Sequence, residues 1–278
     1  MKIDYRKAVM ILMLLPLITL LGCGSKGGQY ENASARILKA LEEKYGEEFE
    51  LDKIGAGSGT MNDNTIKATV RPKSDPRIVF DVEVTKDLKK VYDKYLNVIV
   101  AQSNLAPITD LARQVWSDGR VEISNDTVLT YPTHTDRDMT YEKFLELYPS
   151  NWQVIFVFVN ASNYIDENGE MNEDAEIEKY KSFAKLLEAN KYVKSGVSIV
   201  YLSEQAYGRL DSIQQETVNV EQVLYKEQEE EGLLNSVTRN GFDLLENGEL
   251  SKSDNAFKET FSVWRESRQK YIRDKGEE

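Results

Sequence analysis

A single histidine stands in Thr133-His134-Thr135-Asp136-Arg137-Asp138, where an imidazole and two carboxylates could share a zinc ion. A structural zinc site needs four ligands, and Arg137 places a cation between the acids, so a polar surface loop accounts for the same residues. Asp166 to Asp174 (DENGEMNED) offers the oxygens of half a calcium loop. An EF-hand needs glycine at position six and glutamate at twelve, yet counting from Asp166 places Gly169 fourth, so an Asn-Gly turn leading to a helix cap is the better reading. Gly55-Ala56-Gly57-Ser58-Gly59-Thr60 lacks the lysine of a phosphate-cradling loop and reads as a loose strand connection. No Gly-x-Ser-x-Gly elbow is present, and a Ser-His-Asp set would have to recruit His134. Paired carboxylates could hydrolyse a glycoside, but among so many acids no pair stands out. The sequence therefore assigns no catalytic residue, no metal ligand and no cofactor. Asn32-Ala33-Ser34 and Asn160-Ala161-Ser162 match glycosylation sequons but point to no chemistry of their own.

The other chemically distinctive residue is Cys23, the one cysteine of the chain. It ends an apolar run, Ala8 to Leu21, that follows Lys2, Arg6 and Lys7. Fourteen residues of helix would rise roughly 21 Å, short of a hydrocarbon core of about 30 Å, so the run reads as a secretory signal rather than a membrane span. Leu20-Leu21-Gly22-Cys23 resembles the lipobox of bacterial prolipoproteins. The resemblance implies cleavage between Gly22 and Cys23, a diacylglycerol thioether on the Cys23 sulfur, and a membrane partner reached through that anchor. A lipid-modified cysteine leaves no thiol chemistry and no disulfide, so the body must hold together by core burial. Lys44-Tyr45-Gly46-Glu47-Glu48-Phe49, Phe80-Asp81-Val82-Glu83-Val84 and Asp93-Lys94-Tyr95-Leu96 are similar to segments of uncharacterised Gram-positive lipoproteins, which have no agreed activity. Abundant Lys, Glu, Asn and Tyr with few Pro suit a low-G+C Gram-positive source.

Charge narrows the partners. The 278-residue chain carries a net −12, which becomes −14 without the signal. Nucleic acid needs a basic stripe and is excluded; an acidic body also does not lie flat on anionic lipid. A protein partner is left open.

The elements that must position any site read as α+β: one or two small lobes of mainly antiparallel sheet packed by helices, with a helical C-terminal tail. The expected division is a signal peptide over 1–22, a flexible spacer over 23–31, an N-terminal lobe over 32–124, a second lobe over 125–225, and a charged linker with an amphipathic helix over 226–278. In the first lobe a helix capped by Asn32 or Ser34 ends at Tyr45, where Gly46 stops it. Strands follow over 49–56, 65–71 and 78–84, the last alternating cleanly, with short turns that favour a meander. A long helix over 88–117 is expected to kink or break at Pro107, then a strand at 121–123. The polar stretch 124–140 is the expected boundary, with a short edge strand at 128–131. Thr140 caps a helix that ends by Pro149. Trp152 to Asn160 has two apolar faces and reads as a buried strand, followed by a helix over 175–190, a strand at 197–202 that this helix could connect in parallel with the first, and a third strand at 218–224. Ser253 caps a terminal helix carrying Phe257, Phe261, Trp264 and Tyr271, which either docks on its own sheet or binds a partner.

The expected function is a membrane-anchored, extracytoplasmic binding or interaction protein. The alternatives are a carboxylate-dependent cell-wall or peptide-acting enzyme, which needs two acids in one cleft, and a solute-binding lipoprotein of a transporter, which needs a true cleft between lobes.

Overall fold

The computed structural model describes residues 26–55, 64–125, 139–166, 170–231 and 235–275. Its α+β fold is built on two four-stranded sheets. Helix α1 (Lys26–Tyr45) lies on the meander β1 (Phe49–Ile54), β2 (Thr65–Pro72), β3 (Phe80–Thr85) and β4 (Val91–Asp93), which is antiparallel throughout. Ala33, Ile37, Leu41 and Tyr45 recur at helical spacing and meet Val70, Phe80, Val82 and Val84 from the sheet. Gly46 ends the helix at φ +68, with its N–H on the Glu42 carbonyl. The helix takes in Lys26 to Glu31, so that part of the expected flexible spacer is helical.

Helix α2 (Tyr95–Arg113) then leads to the second sheet. The expectation of a helix from Leu88 fails because Val91–Asp93 pairs with β3, and Asp93 is buried against Lys44 Nζ (2.8 Å) and Tyr45 Oη (2.6 Å) from α1. Pro107 lies inside α2 without ending it. Buried residues along the helix serve three packing clusters: Tyr95 joins the first sheet's core, Leu96 and Val100 a small cluster with Phe144, and Ala101, Ile108 and Ala112 the second sheet's core.

The second sheet runs β5 (Arg120–Asn125), β6 (Gln153–Asn160), β7 (Ser195–Leu202), β8 (Ser236–Leu244), with β6 and β7 parallel, the arrangement a connecting helix allows, and the outer pairs antiparallel. The expected division after 124 falls within β5, which pairs along its length with β6. Between β5 and β6 lies α3 (Tyr141–Leu147), capped by Thr140, whose hydroxyl accepts the Lys143 N–H. Between β6 and β7 lies α4 (Glu173–Ala189). Ile155, Val157 and Val159 of β6 face α2 and α4; Phe156 and Phe158 face the other way, onto α5 (Glu204–Gly208), α6 (Leu210–Glu216) and α7 (Val220–Glu231). Helices on both faces explain a strand with no polar side.

Two expectations for this half are corrected. The stretch 218–224 is not a strand: Val220, Val223 and Leu224 pack together at the three-and-four spacing of helix α7. The expected linker after 226 contains β8, the fourth strand of the sheet. Helix α8 (Asp254–Lys275) docks back on that sheet, with Phe257 and Phe261 in its core and Trp264 Nε1 donating to the Val237 carbonyl. Ser253 Oγ accepts the Ala256 N–H and caps the helix as expected.

Candidate functional site

Gly22, Cys23, His134, Asp136 and Asp138 lie outside the described residues, as do the expected strand at 128–131 and most of the 55–60 glycine stretch. Three acids of the 166–174 loop, Asp166, Glu173 and Asp174, are engaged within the fold. Asp166 accepts the Glu170 N–H, while Glu173 and Asp174 pair with Arg265 and Lys258 of α8. Asn172 caps α4 through the Ala175 N–H. Among the described residues, no group of three or more His, Cys, Asp or Glu is placed to hold a metal ion, and no helix is long and apolar enough to cross a membrane.

Among the described residues, the junction of the two sheets carries a strongly perturbed carboxyl. Glu122 sits on β5, on the face covered by α7, and is 7% exposed. Its Oε2 accepts the Glu221 backbone N–H at 2.8 Å, in the first turn of α7. Burial pushes its pKa from 4.5 up to about 7; the Glu221 charge adds to the rise, and the backbone N–H groups of Glu221 and Val220 oppose it. Glu122 lines a 180 Å³ cavity with Arg77, Gln102, Gln214 and Thr217. Arg77 comes from the loop between β2 and β3. Its guanidinium forks onto Asp75 (2.8 and 2.6 Å) and reaches the Gln214 carbonyl at 3.0 Å, tying the first sheet to α6. The pairing lowers the Asp75 pKa and raises that of Arg77. Val218, just before α7, packs on the first sheet's core.

A carboxyl that titrates near neutrality in a cleft is suited to proton transfer. Hydrolysis by paired carboxylates needs a second acid about 5–9.5 Å away. Among the described residues the wall of this cavity supplies Glu122 as its one acid, and the Glu221 carboxylate is turned to Arg239 at 3.1 Å. Volume also decides: 180 Å³ is room for about six waters, below the roughly 300 Å³ at which ligand pockets begin. The cavity is a joint rather than a solute chamber.

A second polar cluster lies at the carboxyl ends of β6 and β7, where open α/β sheets place ligands. Glu176, in the first turn of α4, is buried and accepts from Tyr201 Oη (2.6 Å), Lys179 Nζ (2.6 Å) and Trp116 Nε1 (3.2 Å). Tyr180 Oη meets Tyr201 Oη at 2.8 Å, and burial holds both phenols well above the ordinary tyrosine range. Nearby, Asp118 accepts from Tyr164 Oη and from the Asn160 N–H. Three donors on one carboxylate make this a satisfied network that seats α4 on the sheet. The sequence showed the aromatic residues but nothing that linked them to Glu176.

No protein-family model matches the chain, and no curated protein matches it. The structure is similar to the crystal structure of a DUF5037 family protein from Ruminococcus gnavus ATCC 29149, with a TM-score of 0.49 at 17% identity, over 82% of this chain and 98% of that one.

Proposed function

We propose that the protein is a lipid-anchored, extracytoplasmic binding protein, held at the outer face of the plasma membrane by a diacylglycerol thioether on Cys23 and acting through non-covalent recognition. The observation that carries this reading is the position of the lone cysteine, directly after Leu20-Leu21-Gly22 at the end of a 14-residue apolar run. Support comes also from the acidic body, which favours a tether over direct contact with anionic lipid. The test is metabolic labelling with a clickable fatty acid. The parent chain takes the label, globomycin alters its processing, and Cys23→Ala stays unlabelled. A parent as unlabelled as the variant overturns the anchor. For the binding role, a pull-down from intact cells recovers a partner, whereas turnover of a cell-wall substrate by the purified body would overturn it.

One observation favours the second reading, an acid-dependent cell-wall or peptide-acting enzyme: Glu122 titrates near neutrality beside a cavity. That reading requires Glu122→Gln to abolish an activity. The transporter reading draws less support, since its ligand would have to fit the 180 Å³ between the sheets.

A further inference from the structure

The two ends of the first sheet meet different surroundings. At one end Pro72 of β2 pairs with Phe49 of β1, and Arg77, in the loop just beyond, reaches the Gln214 carbonyl of the second half at 3.0 Å. The opposite end is where α1 begins. There Thr65 pairs with Thr85, the Gly55 N–H donates to the Lys67 carbonyl at 2.9 Å, and the Lys86 N–H donates to the Asn64 carbonyl at 3.0 Å. Two contacts hold the start of α1 to this end. The Tyr30 ring lies so close to Gly55 that an added Cβ would stand 2.8 Å from its Cζ, and Arg36 Nε donates to the Leu88 carbonyl at 3.1 Å.

This end is basic, although the chain is acidic. Lys53 stands two residues before Gly55, and the turn from β3 to β4 reads Lys86-Asp87-Leu88-Lys89-Lys90; all four lysines are exposed. Lys26 opens α1. The acids that the sequence sets among these five lysines are Glu31, Asp63 and Asp87, of which Asp63 lies outside the described residues. Asp87 holds Lys89 at 3.4 Å, while Lys53 and Lys86 form no ion pair among the described residues. Charges further from a surface than a Debye length, about 8 Å at physiological ionic strength, are largely screened. A bilayer therefore senses the end nearest to it more than the net −12 of the chain.

The position of Cys23 says which end that is. It stands three residues before Lys26, a reach of at most ~11 Å at full extension. A lipid on Cys23 brings the start of α1, and the lysines beside it, to the headgroup layer. Tyr30, 37% exposed at this end, is a residue type enriched at membrane–water interfaces.

We propose that the lysine-bearing end of the first sheet, Lys53 with the turn 86–90, docks on anionic phospholipid headgroups of the bilayer that holds the Cys23 lipid, so that the body stands on end with its second sheet away from the membrane. The electrostatic contact fixes an orientation that the anchor alone leaves free, and each lysine near such a surface contributes about fivefold in occupancy. The inference rests on the reading of Cys23 as a lipid anchor, which fatty-acid labelling tests separately.

Lysine footprinting tests it: the lipidated chain in vesicles is treated with an acylating reagent and read by mass spectrometry. Vesicles of phosphatidylcholine alone are compared with vesicles that also contain phosphatidylglycerol. Lys53, Lys86 and Lys89 are expected to react about fivefold more slowly on the anionic vesicles, and high salt should abolish the difference. Lys191, in the second half, should react equally on both. Lys86→Glu combined with Lys89→Glu is expected to remove the protection of Lys53 as well, and the footprint of the parent decides the matter should that variant misfold. Equal reactivity of the parent on both vesicles, or protection of Lys53 that survives the charge reversal, overturns the proposal. Protection on intact cells but not on phosphatidylglycerol vesicles assigns the lysines to another polyanion and overturns it too. A chain that takes the fatty-acid label without a lipid-dependent footprint keeps its anchor and loses this contact; an unlabelled chain loses both.

Discussion

The Glu122 carboxylate accepts the Glu221 backbone N–H at 2.8 Å, so an acid on an edge strand is held against the first turn of α7 beneath the junction of the two sheets. Its pKa, raised from 4.5 to about 7, has a definite linkage sign. Between those values the folded chain holds more protons than the unfolded chain, so Glu122 lowers stability as pH rises from 4.5 towards 7, and the loss is complete above 7. Glu122→Gln keeps an acceptor for the Glu221 N–H and removes the charge. The variant should be more stable than the parent by about 2–3 kcal/mol at pH 8 and nearly equal to it at pH 4.5. Urea denaturation at the two pH values checks this. An equal effect at both would mean that the buried carboxylate is not the cause.

What the sequence disclosed depended on whether burial followed pattern. The β6 strand was legible because Ile155, Val157 and Val159 on one face and Phe156 and Phe158 on the other all meet helices. The β8 strand was not. Ser236 and Asn240 are polar yet buried, with Asn240 Nδ2 donating to the Phe257 carbonyl, and Gly241 lies so close to β7 that an added Cβ would stand 2.2 Å from the Val197 carbonyl oxygen. Helix α7 was misread because Val218, Val220 and Leu224 alternate, although Val218 in fact packs on the other sheet. Glu122 carried no signal within the short strand expected at 121–123, because it is α7, far on in the chain, that covers it.

The Glu176 network should behave as a unit. Glu176→Ala leaves the Trp116 indole N–H and the Tyr201 hydroxyl buried without their acceptor, and should cost about 3 kcal/mol or more. Tyr201→Phe should cost about 1–2 kcal/mol. Because both changes remove the same hydrogen bond, their double variant should cost less than the sum. Chemical denaturation, read by tryptophan fluorescence, gives the cycle; strict additivity would deny the coupling.

Helix α4 ends in a Schellman motif: the Tyr192 N–H returns to the Leu187 carbonyl and the Lys191 N–H to that of Glu188, each at 2.9 Å. The residue in the left-handed position is Lys191, at φ +62, where glycine is usual. Lys191→Gly removes the Cβ strain and should raise the melting temperature by about 2–4 °C, despite loss of the exposed pair with Glu142. A fall in melting temperature would show that the lysine side chain matters more than the backbone strain.

The C-terminal helix offers the last test, because its apolar stripe could serve the fold or a partner. Phe257 is fully buried, with its ring 5.3 Å from that of Tyr180 and 6.4 Å from that of Phe242. Its carbonyl takes the Asn240 amide, while Arg265 and Lys258 reach acids at the start of α4. The ion pairs lie at the surface, with Glu173 half-buried, and contribute little, so the aromatic contact must supply most of the docking energy. Phe257→Ala should therefore destabilise the whole fold by about 3–5 kcal/mol, and unfolding should remain a single transition because β8 and α8 share the second sheet's core. A helix held in readiness for a partner would behave otherwise: the same variant would leave the main transition in place and make only the chain after Asp254 sensitive to protease. Urea denaturation paired with limited proteolysis distinguishes the two, and early cleavage confined to α8 would mean that its apolar face is not committed to the core.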